Sequence, residues 1–315
     1  MTRGLALVAR SSAVVVHAPV ARIVLPASSR LRLRWLVGLI TLVIAGTATA
    51  SWAGDTRGAE GHHPYLALGD SVVFGFITQA GFEYGNADNF VGYPDYVGPA
   101  LRFDAVNASC PGEATTGFIS STGADNGCRP FRALAPLHVV YTSTQLDFAA
   151  GFLEAHPNTR LVTIGLGAND LFLLQEACTN DPQCIAAALP SVLATITANM
   201  ETILFALRAT GFHGVLMIVN YYSLDYSNSA GTVITQLLNE AIAAHAHANG
   251  AVVADVFTAF AAAASTFSGK PCVAGLLNAS PQNQFVCDVH PSQSGQKLLA
   301  RTVEAAYRAA IAAEQ

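Results

Sequence analysis

Five short apolar runs punctuate residues 54–315: "YLALG" from Tyr65, "FDAVNA" from Phe103, "RLVTIGLG" from Arg160, "GVLMIVNYY" from Gly214 and "AVVADVF" from Ala251. Each is bounded by Gly, Asn or Asp and is too short for a core helix, so each predicts a buried strand. Between them lie segments whose apolar positions recur with helical spacing, most clearly Ser191 to Thr210, Val233 to Asn249 and Ser292 to Ala313. No repeat or low-complexity linker divides the stretch. Strands alternating with helices imply a mainly parallel five-stranded sheet covered on both faces, with right-handed crossovers. The pattern therefore predicts one α/β domain over residues 54–315, a three-layer α/β/α sandwich.

The first 53 residues differ. They carry Arg3, Arg10, Arg22, Arg30, Arg32 and Arg34 and no acid. "WLVGLITLVIAGTATA" then "SWAGD" adds an apolar stretch and small residues, the layout of a secretory signal cleaved after Ala50 or Ala53. An uncleaved anchor is the alternative, because the run approaches the roughly 18–20 residues that span a bilayer. The stretch before Arg30 is long for such a signal, which points to a start downstream of Met1. Removing six positive charges takes the formal net charge from −5 to −11. An acidic body without a basic stripe argues against nucleic acid as a partner. At 52% hydrophobic and 12% charged residues, a sizeable core is expected and global disorder is not.

All six cysteines follow the basic segment, an even count that suits disulfides outside the cytosol. Neighbour pairing is preferred: Cys110 with Cys128, Cys178 with Cys184, Cys272 with Cys287. A zinc site is disfavoured, because there is no C-x-x-C and no histidine at ligand spacing from a cysteine pair.

Ligands of such a sheet bind beyond the carboxyl ends of the strands. Three polar clusters meet there: Gly69-Asp70-Ser71, Asn107 to Glu113, and Gly167 to Asp170. Ser71 sits at a strand-to-helix turn that displays its hydroxyl. Gly112 lets backbone approach a ligand without a Cβ in the way. Asn169 offers a side-chain N–H₂, and His290, before the last helix, returns to the same rim as a base. A serine needs such a base, and the developing oxyanion needs preplaced donors. Each residue alone has a plainer reading: Ser71 and Asn169 as helix caps, Gly112 as a turn beside Pro111, His290 as the residue before a helix-starting proline.

Taken together, Ser71, Gly112, Asn169 and His290 resemble, in that order, the four blocks of the SGNH (GDSL-type) hydrolases. The likeness runs from about Tyr65 to Gly295. "CPGEATT" and the six cysteines are further similar to secreted actinobacterial lipases and esterases of that family. The resemblance implies a flavodoxin-like fold, Ser71 as nucleophile and His290 as general base. It also implies an oxyanion hole of Ser71 N–H, Gly112 N–H and the Asn169 side chain, and a reaction that needs neither metal nor organic cofactor. One position departs from the pattern. The family usually has an acid three residues before the histidine, where this chain has Cys287; Asp288 stands two before. Either Asp288 orients the imidazole, or a backbone carbonyl near Cys287 does and the pair works as a dyad. The expected activity is secreted carboxylic-ester hydrolysis of a small-molecule or lipid ester by a monomer. Carbohydrate acetylesterase and a non-catalytic binding protein are the rivals. Pocket walls are expected from Phe74 to Tyr93 and from "NYYSLDYSNSAG" after the fourth strand.

Overall fold

The computed structural model describes residues 62–78, 80–280 and 283–313, without the side chains of Gln284 and Phe285. The expected signal segment lies outside the described residues. The chain runs β1 (His63–Gly69), α1 (Ser71–Phe74), α2 (Pro94–Leu101), β2 (Phe103–Asn107), α3 (Thr115–Ile119), α4 (Cys128–Leu134) and α5 (Gln145–Ala155). It continues through β3 (Leu161–Gly165), α6 (Ala168–Ala177), α7 (Pro182–Ala209), β4 (Val215–Val219), α8 (Ser229–Ala243) and β5 (Ala251–Ala254). It closes with α9 (Val256–Ala264), β6 (Leu277–Ser280), β7 (Asn283–Pro291) and α10 (Gln293–Ala313).

The five apolar runs form a single parallel sheet in the order β2-β1-β3-β4-β5. Successive side chains of a strand face opposite sides, and here both sides are covered. Leu66, Leu68, Val162, Ile164, Leu216 and Ile218 face a core closed by α3, α5, α7 and α8. Tyr65, Ala67, Leu161, Val215 and Met217 face a second core closed by α2, α9 and α10. Burial on two sides explains why β3 and β4 read as unbroken apolar runs: every residue of each is buried. Thr163 is the polar exception, satisfied by the hydroxyls of Tyr65 (2.8 Å) and Tyr93 (3.0 Å).

Helix limits differ from the sequence expectation where a cap overrides a break. α7 begins nine residues before Ser191 because the Asp181 side chain accepts from the N–H groups of Gln183 and Cys184, with Pro182 in the first turn. Pro190 then stands inside the helix instead of starting it. α8 starts at an Asn228 cap and ends at Ala243, with a separate short turn at His247–Asn249.

The antiparallel pair β6 and β7 is an addition that the apolar pattern does not announce. Disulfides join Cys110 to Cys128, Cys178 to Cys184, and Cys272 to Cys287, with Cα separations of 5.5, 5.6 and 5.6 Å. The last ties the segment after α9 to β7.

Candidate active site

All five sheet strands are parallel, so their carboxyl ends share one edge. The order places β2 and β3 on either side of β1, which makes the β1–β3 boundary the switch point where a crevice opens. Gly69 ends β1 opposite Gly165 of β3. Its φ is +139°, and a Cβ there would lie 2.1 Å from the Gly165 carbonyl oxygen. Only glycine lets the chain leave the sheet this abruptly. Asp70 caps α1 by accepting from Val72 N–H at 2.9 Å, and Ser71 is the first helical residue.

The last strand brings His290 to Ser71. His290 Nε2 lies 2.9 Å from Ser71 Oγ, and His290 Nδ1 lies 2.8 Å from Asp288 Oδ2. The register of β7 against β6 shifts between Cys287 and Pro291, and this irregular stretch sets Asp288 beside His290. Thr78 donates its hydroxyl to Asp288 Oδ2 at 2.6 Å, and Val289 N–H donates to Oδ1, also at 2.6 Å. Partial burial works against the Asp288 charge, yet the hydrogen bonds from His290 and Thr78 outweigh it and hold the carboxyl at about 2. Asp288 is therefore ionised across the neutral range. Phe76 packs its ring on His290, 5.1 Å between centroids, and Tyr222 donates to the Val289 carbonyl at 2.6 Å.

Asn169 lines the same cleft as Ser71 and His290. Asn169 lies in the first turn of α6, donating from Nδ2 to the Glu113 carbonyl at 2.9 Å, with a longer 3.4 Å approach to Asp70 Oδ2. Its Oδ1 accepts from Asn126 at 2.9 Å, which fixes which end of the amide faces Asp70. Asp170 accepts from the Thr115 N–H (3.0 Å) and hydroxyl (2.6 Å), binding α6 to α3. Gly112 has φ +85°, and a Cβ would lie 2.4 Å from the Asn126 carbonyl oxygen. The loop carrying it is held at both sides: Cys110 N–H donates to the Gly69 carbonyl, and the Glu113 carbonyl receives Asn169. Asp70 is fully buried. Burial pushes its carboxyl up to about 6, against the Tyr221 hydroxyl (2.6 Å) and Val72 N–H that favour the anion.

A cleft of about 280 Å³ opens beside Ser71, Asn169 and His290. One expected wall is present: Tyr221 to Gly231, after β4, supplies several lining residues. The other is not. Phe76, Tyr84 and Phe90 stack on one another, Phe76 and Tyr84 meet Phe131 edge-on, and Phe74 joins through Phe90 and Phe131, while Phe82 is exposed. These aromatic rings meet their own kind before they reach the cleft. Thr78, Tyr221 and Tyr222 carry site contacts that sequence reasoning missed. The two tyrosines lie in a segment singled out as a wall, but nothing marks their hydroxyls as donors to Asp70 and Val289. Thr78 sits in no motif.

Residues 67–298 match the GDSL-like Lipase/Acylhydrolase family. The chain belongs to this family. Among solved structures, a phospholipase A1 from Streptomyces albidoflavus superposes with TM-score 0.54 at 17% identity, covering 78% of this chain and 99% of that one. A variant of an acetyl-xylooligosaccharide esterase from Geobacillus superposes with TM-score 0.50 at 15% identity, over 78% and 94% of the two chains. At these identities the likeness shows a shared fold, the three-layer GDSL hydrolase architecture. No curated protein sequence matches.

Proposed function

We propose that this family member is an exported carboxylic-ester hydrolase that works through a Ser71 acyl-enzyme. The observation that carries the reading is the unbroken contact from Ser71 Oγ through His290 to Asp288 at the mouth of a cleft. Ser71 Oγ attacks the ester carbonyl carbon while His290 Nε2 takes its proton. Asp288, ionised and on Nδ1, holds the tautomer that leaves Nε2 free to accept and stabilises the imidazolium. The negative charge that forms on the carbonyl oxygen is received by the N–H groups of Ser71 and Gly112 and by Asn169 Nδ2, which has one hydrogen on Glu113 and only a long approach to Asp70 for the other. The C–O bond of the alcohol then breaks, and His290 returns the proton to the departing oxygen. Water repeats the sequence, releasing the acid and restoring Ser71. Export is supported by the three disulfides and by the basic-then-apolar N-terminal pattern.

A binding protein has no use for a serine oxygen in contact with a charge-oriented imidazole. A carbohydrate acetylesterase calls for a shallow polar groove, and the cleft here is walled by aliphatic and aromatic side chains. The test is hydrolysis of p-nitrophenyl butyrate by the purified chain and by Ser71→Ala. The expected result is a loss of kcat of about 10³-fold or more with unchanged thermal unfolding. Full turnover by the alanine variant sinks the assignment.

A further inference from the structure

The reading above leaves open which part of an ester enters the cleft, and how large that part is. Two helical stripes face each other across the space. Ala168, Leu171, Phe172 and Gln175 of α6 follow the i, i+3, i+4, i+7 spacing of one helix face. On α8, Gly231, Ile234, Thr235 and Leu238 repeat that spacing. The stripes run about 10 Å along each helix, seven residues at a rise of ~1.5 Å. Leu238 is buried and sits against Gly167, where an added Cβ would lie 3.3 Å from its Cδ1, so this end is closed by core. Leu224, exposed at the surface, marks the open side.

No lysine or arginine lines the cleft. Its charged groups are Asp70 beneath Ser71 and Asp225, with His290 as the base. The Ser227 hydroxyl and backbone hold Asp225 below the ordinary carboxylate range, so it is ionised at neutral pH. An anionic substituent would meet that charge with no cation to offset it.

Resting on the ester-hydrolase reading, we propose that the α6–α8 cleft receives the uncharged acyl chain of the ester and is sized for a medium chain. At ~30 Å³ for a group the size of a water molecule, a volume of about 280 Å³ holds roughly eight to ten carbons. The chemistry says why the occupant is the acyl group. The alcohol leaves after the first step and must make way for water beside His290, whereas the acyl chain stays bonded to Ser71 through both steps. An apolar slot suits the group that stays.

Two ester series test this on the purified chain. In p-nitrophenyl esters from acetyl to palmitoyl, kcat/KM is expected to rise at least tenfold from acetate to octanoate or decanoate and to fall at palmitate. In acetates of alcohols of growing length it is expected to stay within about threefold. The p-nitrophenyl monoester of octanedioic acid, which ends in a carboxylate, is expected to react at least tenfold more slowly than the octanoate. Ile234→Trp, which fills the slot, should lower the octanoate-to-acetate ratio at least tenfold. Leu171→Ala, which widens it, should move the optimum to longer chains, and it stands in if the tryptophan variant does not fold. A flat acyl series with Ser71-dependent acetate hydrolysis overturns the cleft assignment while leaving ester hydrolysis intact. A rise along the alcohol series gives the cleft to the alcohol and also overturns it. Equal rates for octanoate and the octanedioate monoester overturn the requirement for an uncharged chain. No Ser71-dependent hydrolysis of any ester overturns the underlying reading.

Discussion

At the scale of single residues, the acid two places before His290 is the most consequential departure from the family pattern. The pairing of β7 with β6 slips between Cys287 and Pro291, so regular alternation does not hold across residues 288–290. Within that irregular stretch Asp288 reaches His290 at 2.8 Å. Thr78, seven residues beyond Ser71, adds a second donor to the same oxygen. If the carboxylate orients His290, Asp288→Asn presents the wrong partner to Nδ1, and kcat is expected to fall by about 10³–10⁴-fold with little change in KM. Steady-state kinetics on the variant decide it: a loss below tenfold would mean that another group, such as a backbone carbonyl, sets the tautomer. Ser71 and Asn169 were legible as motif positions because each follows an apolar run, and His290 because it precedes the last amphipathic helix. Thr78 and Tyr221 were not, since their contacts with residues 210 and 151 positions away depend on chain reversals that no local pattern encodes.

At the scale of elements, the β6–β7 hairpin is where sequence reasoning was weakest. Its register shifts twice, which blurs the period-two alternation that would reveal a strand. It carries both Asp288 and His290, and Cys272–Cys287 anchors it one residue before Asp288. The disulfide closes a separation of 15 residues, for which loop-closure entropy gives about 3 kcal/mol. Replacing both cysteines by serine should lower the melting temperature by roughly 6–12 °C, at ~2–4 °C per kcal/mol for a domain of this size. It should also depress kcat, because β7 loses the tether nearest the site. Calorimetry with parallel kinetics checks both; an unchanged kcat would show that the hairpin holds its geometry without the bridge. The sheet strands, by contrast, were all visible as apolar runs; β3 and β4, buried on both faces, carry no polar alternation, whereas β2, expected as a buried strand, lies at the sheet edge with Asp104 and Ala105 exposed.

At the scale of the molecule, two buried carboxyls give stability a direction with pH. Burial, reinforced by the negative charge of Asp125, pushes Glu113 up to about 8 despite the Gln145 amide, and Asp70 stands at about 6. Between the ordinary value of 4.5 and about 8, the folded chain keeps a proton on Glu113 that the unfolded chain releases. Stability from this group is therefore full below the unfolded value and is lost as pH rises through about 8. Denaturant unfolding should show a more stable protein at pH 5 than at pH 8. Glu113→Gln should flatten that slope by an amount on the order of a few kcal/mol. An unaltered slope would place the proton elsewhere.

The layered α/β class, the number of strands in the main sheet and the rim that carries Ser71 and Asn169 can be read from the amino-acid sequence alone. These follow from local rules: apolar runs bury themselves, parallel strands end on one edge, and loops at that edge carry polar residues. That Asp288 reaches His290, that Thr78 and Tyr221 brace the carboxylates, and that the cleft opens between α6 and α8 became visible in the folded chain. Each of these depends on packing between segments far apart in the chain, where shape and hydrogen-bond partners are chosen by the whole fold.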